Sequence, residues 1–90
     1  MIARKIKLAL TVGLINRNNT NVLRTAQELM AGFREEAGKF VGTTPAGQQE
    51  ISQNMTLQRY ALRFEKVTLD LELVCDTVRR QEIVQSFKLR

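Results

Sequence analysis

The sequence has no histidine and no tryptophan, and only one cysteine, one proline and one tyrosine among its 90 residues. A single cysteine, Cys75, excludes an intramolecular disulfide, and nothing marks the chain as built for an oxidising compartment. Without histidine, a zinc site made from Cys and His ligands cannot be assembled within the chain. The same absence removes Ser-His and Cys-His nucleophile pairs. There is no P-loop, no G-x-G-x-x-G and no zinc-knuckle spacing. The acids Glu65, Glu72 and Asp76 fit a solvated face or a salt-bridge strip better than a metal or acid–base site, because no companion chemistry accompanies them. The expectation is therefore a non-enzyme without metal or cofactor.

Ninety residues hold one core, so residues 1–90 are read as a single domain. The apolar fraction of 43% and charged fraction of 26% are ordinary for a globular chain. A core this small has a thin stability margin, for which oligomerisation or docking on a larger assembly is a common remedy. The apolar run Leu8 to Ile15 is too short for a membrane span, and Asn16-Arg17-Asn18-Asn19 after it is not a small-residue cleavage site. The chain is accordingly expected to be cytoplasmic.

What the sequence has in excess is positive charge, a formal +5. It is unevenly spread. Residues 1–27 hold five bases and no acid, residues 28–76 five bases and eight acids, and residues 77–90 four bases and one acid. Basic ends around a mildly acidic middle point either to contact with a polyanion or to charge pairing between copies. The candidate phosphate-contacting residues are Arg4, Lys5, Lys7, Arg17, Arg24, Arg59, Arg63, Lys66, Arg79, Arg80 and Lys88. Phe33, Phe40, Tyr60, Phe64 and Phe87 are assigned to core packing rather than to base stacking.

Hydrophobic spacing supports an all-α reading. Residues 2–15 alternate at strand period but are apolar nearly all round if helical; helix is preferred because no partner strand is evident. The polar break Asn16 to Asn21 offers turn and N-cap chemistry. From Val22, apolar residues recur at helical spacing through Ala26, Leu29, Met30, Phe33, Ala37 and Phe40. Gly42-Thr43-Thr44-Pro45-Ala46-Gly47 reads as the end of that helix and the start of the next. Leu57, Tyr60, Phe64, Val67, Leu71, Val74 and Val78 step by three and four, predicting a long helix over about 46–86. Val67 to Cys75 also alternates at strand period, but the helical stripe covers more residues and no turn chemistry flanks it. The expectation is a small helical bundle or hairpin: the N-terminal segment, a helix over about 20–40 and the long helix. The alternative is an α+β fold in which residues 2–15 form a strand.

Two resemblances follow from this reading. Tyr60-Ala61-Leu62 and the ending Glu82-Ile83-Val84-Gln85-Ser86-Phe87 resemble type III secretion needle subunits, which are short helical hairpins with a Pro-bearing turn; the basic excess and the N-terminal segment depart from that pattern. In size, helicity and basic ends the chain is similar in kind to small helical subunits of CRISPR effector complexes, which contact nucleic acid through its backbone. Together they imply a helical subunit of a larger assembly, bound to other protein chains of the same or different sequence and to nucleic acid backbone. The alternative is a filament-forming or otherwise homo-oligomeric structural protein that binds no nucleic acid.

Overall fold

The computed structural model describes residues 2–15 and 21–90, and it overturns the all-α reading. The chain forms helix α1 (Ile2–Leu10), which continues as a π-helical turn over Thr11–Ile15, then α2 (Val22–Ala31) and the short α3 (Arg34–Ala37). Four strands follow: β1 (Phe40–Ser52), β2 (Met55–Phe64), β3 (Thr68–Asp76) and β4 (Gln81–Leu89). They form one antiparallel meander in the order β1-β2-β3-β4. The fold is α+β, with residues 2–15 helical and the long helix expected over 46–86 replaced by strands and turns. The helical-bundle description, and with it the likeness to helical-hairpin subunits, is set aside.

Helix periodicity is sound where the helices occur. Ile6, Leu10 and Leu14 are buried at intervals of four. A four-residue interval drifts around a helix of about 3.6 residues per turn, and the wider π turn offsets that drift and keeps Leu14 inward. Asn21 caps α2, its side chain accepting a hydrogen bond from the Arg24 amide at 3.1 Å. Val22, Ala26 and Met30 form the buried face of α2. The pattern expected to run on to Phe40 breaks at Gly32, and β1 begins at Phe40.

The sheet explains why the stripe along 57–78 misled. Leu62, paired with Leu69, and Tyr60, paired with Leu71, face the helices, as do Leu73 and Val84. Arg59, paired with Glu72, and Ala61, paired with Asp70, face away. Apolar residues on both faces of β2 and β3 satisfy the three-and-four helical spacing by accident.

The turns carry no glycine or proline, so they were not readable as breaks. Phe64 N–H donates to the Val67 carbonyl at 2.9 Å, closing the β2–β3 turn. Asp76 Oδ1 accepts from the amides of Val78 and Arg79 at 3.0 and 3.1 Å, an Asx turn between β3 and β4. Arg80 completes that turn at φ 54. Conversely, the Gly42–Gly47 stretch read as a helix break lies inside β1. Gly47 there adopts φ +147 beside a bulge between Pro45 and Gly47, which only glycine takes without strain.

One apolar core lies between the helices and one face of the sheet, built from Ile6, Leu10, Leu14, Val22, Ala26, Met30, Leu62, Leu69, Leu71, Leu73 and Val84 with Ala37 and Phe64. The π turn and α2 pack towards β4, at the far side of the sheet from β1.

Candidate interaction surfaces

Helical cover at the β4 side leaves β1 bare. Of its residues, Gly42 alone is half-buried and the rest are exposed. β1 is also the longest strand, with 13 residues against 10, 9 and 9 for the others. Its side chains explain the exposure: Thr43, Pro45, Gln48 and Glu50 fall on the helix side, and Gly42, Thr44, Gly47 and Gln49 on the open side, so neither face is apolar enough to draw a layer over it. Glu50 is its one charge. Phe40, Val41 and Ile51 are exposed apolar residues near its two ends, Val41 at 59% and Ile51 at 53%. Register shifts fall between Phe40 and Gly42, Pro45 and Gly47, and Glu50 and Ser52, which leaves two regular stretches, 42–45 and 47–50.

The open face of the sheet is covered by its own charges. Arg59 Nε donates to Glu72 Oε2 at 2.9 Å, and Arg90 grips Asp70 through Nε at 2.6 Å and Nη2 at 3.3 Å. The Asp70 hydrogen bond and charge raise the Arg90 pKa. A shallow depression beside these pairs is bordered by Ser86 and Lys88. The carboxylates there are engaged by guanidinium groups, which leaves no free general base.

A polar cluster sits at one end of the helix-facing side. Tyr60 Oη donates to Gln58 Oε1 at 2.9 Å, and Cys75 Sγ lies 3.3 Å from the same oxygen and 3.8 Å from Glu82 Oε2. Glu82 Oε1 accepts from the Val22 amide at 2.7 Å, so this carboxylate caps the N-terminus of α2 from the sheet. Burial and then the charge of Glu82 push the Cys75 thiol up. Burial, with Cys75 and Glu82, pushes the Tyr60 phenol up. A thiol held protonated is a poor nucleophile, so the cluster ties α2 to β3 and β4 instead of supplying reactivity.

The basic residues singled out in the sequence do not share one surface. Arg4, Lys5 and Lys7 project from α1 on the helix side. Arg24 pairs with Glu28 at 3.3 Å on α2. Arg59, Arg63 and Lys88 fall on the open face, and Arg59 is already paired. Lys66 lies in the β2–β3 turn, its ammonium donating to the Glu35 carbonyl at 2.8 Å. Arg79 and Arg80 lie in the β3–β4 turn at the other end of the sheet. Arg17 falls outside the described residues. With the long helix replaced by strands, Arg59, Arg63 and Lys66 do not share a helix face.

Among the described residues no group of three or more His, Cys, Asp or Glu side chains is placed to hold a metal ion, and no helix is long and apolar enough to cross a membrane. No family model matches the chain, and neither a curated protein nor a solved structure shows a significant match to it. The surface that sequence reasoning missed is β1. Its signal was visible as a low-charge stretch of Thr, Gln and Gly bounded by Val41 and Ile51, but the turn reading of Gly42–Gly47 hid it.

Proposed function

We propose that this is a non-catalytic structural subunit that self-associates through β1. The observation that carries the reading is the exposure of β1 on both faces along nearly all of its length, at an open edge of the sheet. An unpaired edge is a template for another strand. Pro45 and the three register shifts limit such pairing to short stretches and oppose indiscriminate addition.

A second copy fits what remains. An antiparallel twofold centred between Pro45 and Ala46 places Thr43 opposite Gln48 of the other copy, Gly42 opposite Gln49 and Thr44 opposite Gly47. Each residue then meets one from its own side of the sheet, as continuous pairing requires, since Thr43 and Gln48 are on the helix side and the others on the open side. Phe40, Val41 and Ile51, exposed in the single chain, lie just beyond these regular stretches at the two ends of the pair. Glu50 is the one charge of β1 and does not fall opposite its own copy in this register, so no like charges meet. A twofold contact made from one patch used twice is the commonest form of oligomer.

Sedimentation velocity over a concentration series tests the proposal. The expected result is a reversible shift from the 10.3 kDa chain to a species of twice that mass without nucleic acid present. A constant monomer, or a dimer that appears with nucleic acid alone, contradicts it.

A further inference from the structure

The helix side carries a second uncovered surface. Ile6, Leu10 and Leu14 fix one face of α1 and its π turn in the core. Leu8, Val12 and Ile15 repeat at intervals of four and three on the outward face, exposed at 66%, 56% and 37%. Arg4, Lys5 and Lys7 are exposed on the first turns of the same helix. This segment is apolar on two sides for two different reasons: one side builds the core, and the core has no use for the other.

We infer that the outward face of α1 docks on an anionic lipid surface. Its charge selects the occupant. The first 27 residues contain five bases and no acid, and along α1 and α2 the described residues include four bases against the single acid Glu28, which is already paired with Arg24. Two copies of α1 laid face to face would bring bases together with no acid to answer them. An anionic bilayer supplies both things the face presents partners for: negative headgroups at the level of Arg4, Lys5 and Lys7, and an apolar boundary that accepts Leu8, Val12 and Ile15. The contact is peripheral. Three apolar side chains and three bases give reversible, salt-sensitive binding, and the sheet stays in water.

Co-sedimentation of the full chain with phosphatidylcholine vesicles, with and without phosphatidylserine, tests this. The expected result is binding to the anionic vesicles alone at low salt, falling as salt is raised. The double variant Leu8→Gln/Val12→Gln lowers the bound fraction by about tenfold with an unchanged circular dichroism spectrum. Lys5→Glu/Lys7→Glu, at exposed positions that cannot disturb the core, lowers it to the level seen with neutral vesicles. No binding to anionic vesicles at low salt, or equal binding to both kinds, overturns the inference. So does loss of a lipid-free oligomer in the Leu8→Gln/Val12→Gln protein, because that assigns the face to a protein contact. The β1 variant Thr43→Lys/Gln48→Lys retains vesicle binding, which separates this surface from the self-association of β1.

Discussion

At the scale of single residues, Glu82 does more than its position on β4 requires. Its carboxylate receives the Val22 amide at 2.7 Å and stands beside the Cys75 thiol. Glu82→Ala removes a charged cap from α2 and is expected to lower stability by about 1–2 kcal/mol in urea unfolding, more than an ordinary surface change. Leu73, fully buried, is expected to cost about 2–5 kcal/mol on replacement by Ala, measured the same way. Gly38→Ala meets two obstacles at once: φ is +84, and an added Cβ would sit 2.5 Å from Glu65 Cβ. The same Glu65 accepts from the Lys39 amide at 2.7 Å, so it has little freedom to withdraw. Cys75 and Tyr60 set the alkaline behaviour. Both hold their protons more tightly folded than unfolded, from ordinary values of 9.0 and 10.0. The unfolded chain therefore loses these protons first, and their contribution to stability is complete below pH 9 and declines as pH rises above it. Chemical unfolding at pH 8 and pH 10.5 checks the sign. Iodoacetamide is likewise expected to modify Cys75 more slowly in the folded protein than after denaturation.

At the scale of elements, helices were legible and strands were not, for a physical reason. Ile6, Leu10 and Leu14, and Val22, Ala26 and Met30, lie at intervals of four in the sequence and bury one face each. Residues 57–78 answer to two periods at once, because Leu57 and Ala61 are buried on the open face while Leu62, Phe64, Leu69, Leu71 and Leu73 are buried on the other. The deciding signals were turns, and these are built from Asn54, Asp76 and a left-handed Arg80 in place of glycine or proline. Arg80 marks the β3–β4 hairpin as locally strained. Arg80→Gly is expected to raise stability by about 0.5–1 kcal/mol, read as a shift in the unfolding midpoint. Asp76→Ala, which leaves the Val78 and Arg79 amides without their acceptor, is expected to lower it by about 1 kcal/mol. The candidate site was less legible than the fold. Exposure of β1 depends on where the helices settle, and no local pattern states that they lie at the β4 side of the sheet.

At the scale of the whole molecule, one sheet has helices over one part of it and open surface elsewhere. The charge asymmetry seen in the sequence survives folding in altered form. The acid-free segment supplies α1 and the start of α2, and the mixed middle supplies most of the sheet, whose open face pairs Arg59 with Glu72 and Arg90 with Asp70 and whose low-charge stretch is β1. Exposed pairs of this kind contribute little to stability, about 0–1 kcal/mol each. Their effect is to occupy much of the open face; among the described residues, β1 and the outward face of α1 are the uncovered surfaces on which the two proposals rest. Raised salt is expected to weaken contacts made by α1 and to leave contacts made by β1, which carries only Glu50, nearly unchanged.

Charge exchange across the proposed β1 pair tests the central claim most directly. Residues 43 and 48 are far apart along one strand but opposite each other between copies. Sedimentation equilibrium of Thr43→Lys/Gln48→Lys sets like charges against each other and is expected to show the 10.3 kDa monomer at concentrations where the unaltered chain is dimeric. Thr43→Lys/Gln48→Glu sets opposite charges against each other and is expected to restore the dimer. Dimerisation unaffected by either variant, or lost in both alike, contradicts the account.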